Sequence, residues 1–122
     1  MSEKETLIFV VTSAEEHPEK ATIPFVLANA ALAMDTEAIV ILQTTGVYLG
    51  MKEYARHVHA AGFPPLQELM DAFQEGGGKL YVCDPCIKAR QILPEDLIEG
   101  AQIVAGATLI DAFLDAKNVV VY

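Results

Sequence analysis

Tryptophan is missing from the 122 residues, cysteine occurs only twice, and 8 lysines and arginines face 17 aspartates and glutamates. Each shortage excludes something. A formal charge of −9 repels a phosphate backbone and an anionic membrane surface, so neither nucleic acid nor membrane is expected as a direct partner. No apolar run reaches the roughly 20 residues that span a bilayer, and the polar opening MSEKE lacks the apolar middle of a secretory signal. A cytoplasmic protein is expected. In a reducing compartment two cysteines stay thiols, suited to reactivity or metal binding rather than stapling. Neither an internal repeat nor a low-complexity tract is present. What the chain has is apolar content, 52% of residues, which is enough for one core, so 1–122 reads as a single domain.

The apolar residues come in short continuous runs. Thr6 to Thr12, TLIFVVT, Ala38 to Leu42, AIVIL, and Lys79 to Cys83, KLYVC, have the pattern of strands covered on both faces, as in a parallel sheet. Ala101 to Val104 and Asn118 to Tyr122 complete a set of five. After a polar link SAEEHPEK, helical spacing over Ile23 to Met34 predicts a helix, with Thr22 as N-cap and Pro24 in the first turn. Further helices are expected over Leu66 to Glu75, stopped by the glycines at 76–78, from Ile87 to Gln91, and over Thr108 to Ala116. Pro94 to Leu97 opens a turn, QTTGVYLG reads as a glycine-flanked loop, and MKEYARHVHAAGFPP as a short helix or an irregular lid. Alternating strands and helices give a three-layer α/β domain with a mostly parallel sheet, whose ligands bind beyond the carboxyl ends of the strands. VTSAEE, QTTGVYLG and CDPC all lie at such ends.

Both cysteines fall in YVCDPCIKAR, Tyr81 to Arg90. Structural zinc needs four ligands, and only one C-x-x-C pair exists; His57 and His59 alternate in a way that suits a strand rather than a helix. No metal or cofactor is expected. His59 is the histidine best placed to approach the strand edge. A C-x-x-C at a strand-to-helix junction is also the geometry of dithiol oxidoreductases, although the tryptophan-free chain lacks a thioredoxin-like order. A third reading is a reactive thiolate on Cys83, favoured by the backbone N–H groups of the helix that follows, with Lys88 and Arg90 adding positive charge and Asp84 opposing it. The plainest reading makes both cysteines small buried hydrophobes.

Thr44 and Gly46, in TTGVYLG, could cradle an anion, but the segment has neither the spacing nor the lysine of a phosphate-binding loop; a pocket wall or subunit contact fits it better. Tyr48, Leu49, Phe63 and Pro64 would be costly to expose as one patch, which suits burial between subunits. Ser13 lines the pocket or caps the next helix. The pairs Glu15-Glu16 and Glu95-Asp96 suit helix starts and solvated loops.

Taken with LIFVVTS, GVYLG and the terminal DLIEGAQIVAGATLIDAFLDAKNVVVY, the block KLYVCDPCIKAR resembles the DsrE/DsrF/TusD-like family of small sulfur-relay proteins over nearly the whole length. The resemblance implies a flavodoxin-like or Rossmann-like fold, a homotrimer or homohexamer, and sulfur donor and acceptor proteins as partners. It also implies a sulfurtransferase-like carrier that takes sulfane sulfur as a persulfide on Cys83 and passes it to a partner thiol. Arg90 stands where relatives keep a basic residue. Gln91 replaces a glycine common in relatives, which would alter the turn there, and Cys86 is an addition that could resolve a Cys83 persulfide into a disulfide. Two alternatives remain beside the carrier: a C-x-x-C dithiol redox protein, and a non-catalytic oligomeric adaptor of the same fold.

Overall fold

The computed structural model describes residues 4–122; the first three residues of the polar opening lie outside those described. Five strands, β1 (Thr6–Val11), β2 (Glu37–Leu42), β3 (Lys79–Cys83), β4 (Ala101–Val104) and β5 (Asn118–Val121), form one sheet in the order β4-β3-β2-β1-β5. All four pairings are parallel. Ile8, Val10, Ile39 and Ile41 alternate with Phe9, Val11, Val40 and Leu42 on the two central strands, and all are buried. That double burial is why these strands read as unbroken apolar runs.

Helices α1 (Pro18–Ala33), α2 (Leu66–Glu75) and α3 (Asp84–Ala89) cover one face, and α4 (Gly106–Asp115) covers the other. The first three steps move outward from β1 to β4, whereas the last returns past the whole sheet to β5. Right-handed crossovers therefore put α4 on the opposite face. On the first face Phe25 of α1 meets Phe73 of α2 edge to face, ring centroids 5.6 Å apart, an arrangement worth about 0.5–1.5 kcal/mol beyond its area.

Several element boundaries differ from the sequence-based expectation. Helix α1 begins at Pro18, not Ile23, because Pro18 occupies a first-turn position where a missing N–H costs nothing. The expected polar link is therefore partly helical, with Glu19 and Lys20 exposed while Ala21 and Thr22 turn inward. Thr22 is buried inside the helix rather than capping it, and Pro24 lies in the interior instead of the first turn. The expected loop QTTGVYLG is instead a 3-10 run, η1 (Thr44–Gly50). Gly46 permits its close approach to β1: a Cβ there would drive into the Val11 carbonyl, 2.9 Å from its carbon. Of the patch expected between subunits, Leu49 is wholly buried in this chain's own core and Tyr48 stacks on Tyr54 at 5.7 Å. The lid segment holds one 3-10 turn, η2 (Ala55–His57). Helix α3 starts at once after Cys83, earlier than Ile87, since Pro85 suits its first turn; helix α4 likewise starts two residues early, at Gly106.

Candidate functional site

The carboxyl ends of β1, β2 and β3 deliver three short segments to one edge of the sheet. β3 places Cys83 at its tip, where the residue serves as N-cap of α3 with extended backbone. Pro85 has its φ preset for the helix that follows. The register β3 to β4 pairs Cys83 with Val104, so its backbone is held by the sheet while Cys86 rides on the first turn of α3.

The two thiols occupy different environments. Cys83 is buried, 9% exposed, whereas Cys86 is half-buried. Burial pushes the Cys83 thiol above its ordinary value, and the hydrogen bond between its side chain and that of Cys86 pushes the same way, outweighing the backbone hydrogen bond to Cys86. Both effects favour the neutral Cys83 thiol.

Cys86 collects a second donor from across the sheet edge. The Thr44 N–H donates to Cys86 Sγ at 3.3 Å. Thr44 holds a left-handed backbone, φ +50, with its hydroxyl 2.5 Å from the Thr12 carbonyl oxygen and 2.7 Å from that of Gln43. The Thr45 hydroxyl also reaches Thr12 O, at 3.2 Å, and donates to the Glu16 carboxylate. Burial would raise the Glu16 carboxyl, but hydrogen bonds from Thr45 and the Ala14 N–H outweigh it and hold it below its usual value.

Arg90 folds back along α3, Nη1 donating to the Cys86 carbonyl at 3.1 Å. Lys88 is engaged elsewhere, 3.0 Å from the Asp84 carboxylate one turn earlier, so these two charges largely cancel. After Arg90 the helix closes in a Schellman turn: the Ile92 N–H bonds Ile87 O at 2.9 Å and the Gln91 N–H bonds Lys88 O at 3.1 Å. Gln91 takes φ +57, so the left-handed turn expected to be altered without glycine is made by glutamine instead.

Of the residues picked from sequence, the structure joins Cys83, Cys86, Thr44 and Arg90. Gly46 and Ser13 are buried beneath them, with the Ser13 nitrogen 3.5 Å from where a Gly46 Cβ would stand, so they shape the support rather than a pocket wall. His59 is exposed and its ring nitrogen lies 3.3 Å from Phe63 O, within its own loop. Sequence reasoning missed Thr12, Thr45 and Glu16; the available signal was the pair of hydroxyl-rich endings VTS and QTT on adjacent strands. Among the described residues no group of three or more His, Cys, Asp or Glu side chains could hold a metal ion. A groove of about 530 Å³ lined by Lys52, Glu53, Arg56, Gln67, Asp71, Ile98 and Glu99 contains neither cysteine.

Comparison with known proteins gives a consistent family. Residues 5–122 match the DsrE/DsrF-like family. Protein MJ0989 of Methanocaldococcus jannaschii is 34% identical over 93% of this chain and 96% of its own length. The crystal structure of the ychN protein from E. coli superposes with a TM-score of 0.81 at 18% identity, covering 97% of this chain and 99% of that one. MTH1491 of Methanobacterium thermoautotrophicum shares the fold at a TM-score of 0.63 and 14% identity, over 92% of each chain.

Proposed function

The chain belongs to the DsrE/DsrF-like family, and from that membership and the thiol pair at the tip of β3 we propose that it is a sulfur carrier of a sulfur relay. Sulfane sulfur rests on Cys83 as a persulfide and is passed to the thiol of an acceptor protein. The observation that carries this reading is the position of Cys83, fixed by the sheet at the carboxyl edge, with a hydrogen-bonding thiol and the Arg90 turn beside it. Nucleophilic transfer needs an approach to the thiols, and the half-buried Cys86 marks where this edge is open.

The carrier acts in the cytoplasm; among the described residues no helix is long and apolar enough to cross a membrane. It works as a homotrimer or homohexamer. Support for self-association comes from Ile110 and Leu114 on α4 and Val121 on β5, which are 57%, 78% and 66% exposed. Large apolar side chains so exposed, on α4 and on the edge strand β5, favour a covering surface.

The test is intact mass after a sulfane-sulfur donor has been added and removed. Wild type should retain one extra sulfur, mapped to Cys83, and deliver it to an added acceptor thiol; Cys83→Ser should retain none. Retention by Cys83→Ser equal to wild type would show that sulfur rests elsewhere. Loss of two hydrogens instead, requiring both cysteines, would identify a dithiol switch.

A further inference from the structure

The carrier reading leaves an access problem. The thiol that stores the sulfur is the buried one, held protonated by its surroundings, and a donor protein approaching the sheet edge meets Cys86 first. Cys86 also receives a donor from across the sheet edge, the Thr44 N–H of η1 at 3.3 Å, and Cys83 stands beside it at the tip of β3. The Arg90 guanidinium, anchored on the Cys86 carbonyl, adds positive charge on the same turn. Thr44 makes its contribution from a left-handed backbone that its hydroxyl contacts to Thr12 and Gln43 hold in place. Cys86 is therefore the more open of the two thiols, with a donor N–H and a cation oriented around it.

Resting on the carrier reading, we propose that Cys86 is the entry thiol: sulfane sulfur is received on Cys86 and handed within the chain to Cys83. In the first step the Cys86 thiolate attacks the outer sulfur of the donor persulfide. A new S–S bond forms on Cys86, the donor's own S–S bond breaks, and the donor leaves as a thiolate. In the second step Cys83 gives up its proton and its sulfur attacks the outer sulfur of the Cys86 persulfide. Cys86 leaves as a thiolate, and the proton ends on the new Cys83 persulfide or in solvent. Both steps are thiol–persulfide exchanges, so no oxidant or reductant is consumed. The two side chains are direct neighbours, as such a hand-over requires.

The experiment uses glutathione persulfide as donor, quenching at early times with an alkylating agent and mapping the adduct by peptide mass. In wild type the early adduct should sit on Cys86 and the late one on Cys83. Cys86→Ser should reach the same final load on Cys83 with an initial rate lower by about tenfold or more, the penalty for relying on a buried thiol whose proton is held more tightly than usual. Cys83→Ser should take up sulfur on Cys86 at the wild-type initial rate and fail to retain it once the donor is removed. In a separate measurement without donor, limiting iodoacetamide should label Cys86 before Cys83. Cys86→Ser loading as fast as wild type, or an early adduct confined to Cys83, would overturn the entry role and leave the carrier standing. No uptake by wild type or either variant would remove the carrier reading itself, and the entry role with it.

Discussion

Replacing Gln91 with glycine should stabilise the protein, an uncommon direction for a single substitution. Gln91 sits at φ +57 at the end of α3, where its own N–H and that of Ile92 close the turn onto Lys88 and Ile87. An L-residue with a Cβ loses roughly 1–2 kcal/mol in that conformation. Glycine removes the strain but brings back about 0.5–1 kcal/mol through its greater freedom in the unfolded chain. The Gln91 side chain is exposed, so little packing is lost. The net gain is about 0.5–1 kcal/mol, which at about 2 cal/mol/K of unfolding entropy per residue raises Tm by roughly 2–4 °C. Gln91→Val at the same place should lower Tm, because a branched Cβ tolerates positive φ worst. Thermal unfolding followed by circular dichroism, with urea titrations at fixed temperature, measures both. A Gln91→Gly variant with unchanged or lower Tm would refute the argument that the turn is held under strain.

Two further outcomes follow from the same edge of the sheet. Gly46→Ala should cost about 3 kcal/mol or more in urea unfolding, since the new methyl group meets the Val11 backbone rather than a flexible side chain; because η1 carries the Thr44 N–H, the variant should also lose preferential alkylation of Cys86, and normal stability would sink the close-approach account. The Cys83 thiol, with a folded-state pKa above the ordinary 9.0, binds its proton more tightly when folded. Its contribution is therefore complete below the unfolded value and is lost as pH rises through the folded one. The urea midpoint of wild type should fall more steeply above about pH 9 than that of Cys83→Ala, and parallel curves would contradict the burial of that proton.

The sheet was legible from the chain because each central strand is buried on both faces and its composition is continuous. β3 and β4 have the bounds expected of them, and α2 does as well, its apolar stripe being sharp and its end marked by three glycines. The start of α1 was hidden because Glu19 and Lys20 face water, so polarity there looked like a link while a Pro at the first turn was the stronger signal. The nature of η1 was hidden for another reason: Gly46 suggested room for an anion, whereas it makes room for the backbone of β1. The cysteine pair was visible in sequence, and the local turn through Pro85 could be guessed. Its contact with Thr44 could not, since that hydrogen bond joins residues 42 apart and depends on how β2 and β3 are paired. The different environments of Cys83 and Cys86 are products of the fold, three residues apart though they are.

The placement of β5 beside β1 separates the assembly of the site from completion of the sheet. Pairing Asn118–Val121 with Leu7–Val10 joins strands from opposite ends of the described chain, the least local pairing in the sheet. Loop-closure entropy makes such a pairing the slowest to form. Every residue of the thiol cluster, from Thr12 to Gln91, precedes β4 in the chain. A nascent chain that has exposed β1 to β4 but not yet β5 already possesses both cysteines and the strands that pair around Cys83, so both thiols are present before the far face of the sheet is closed.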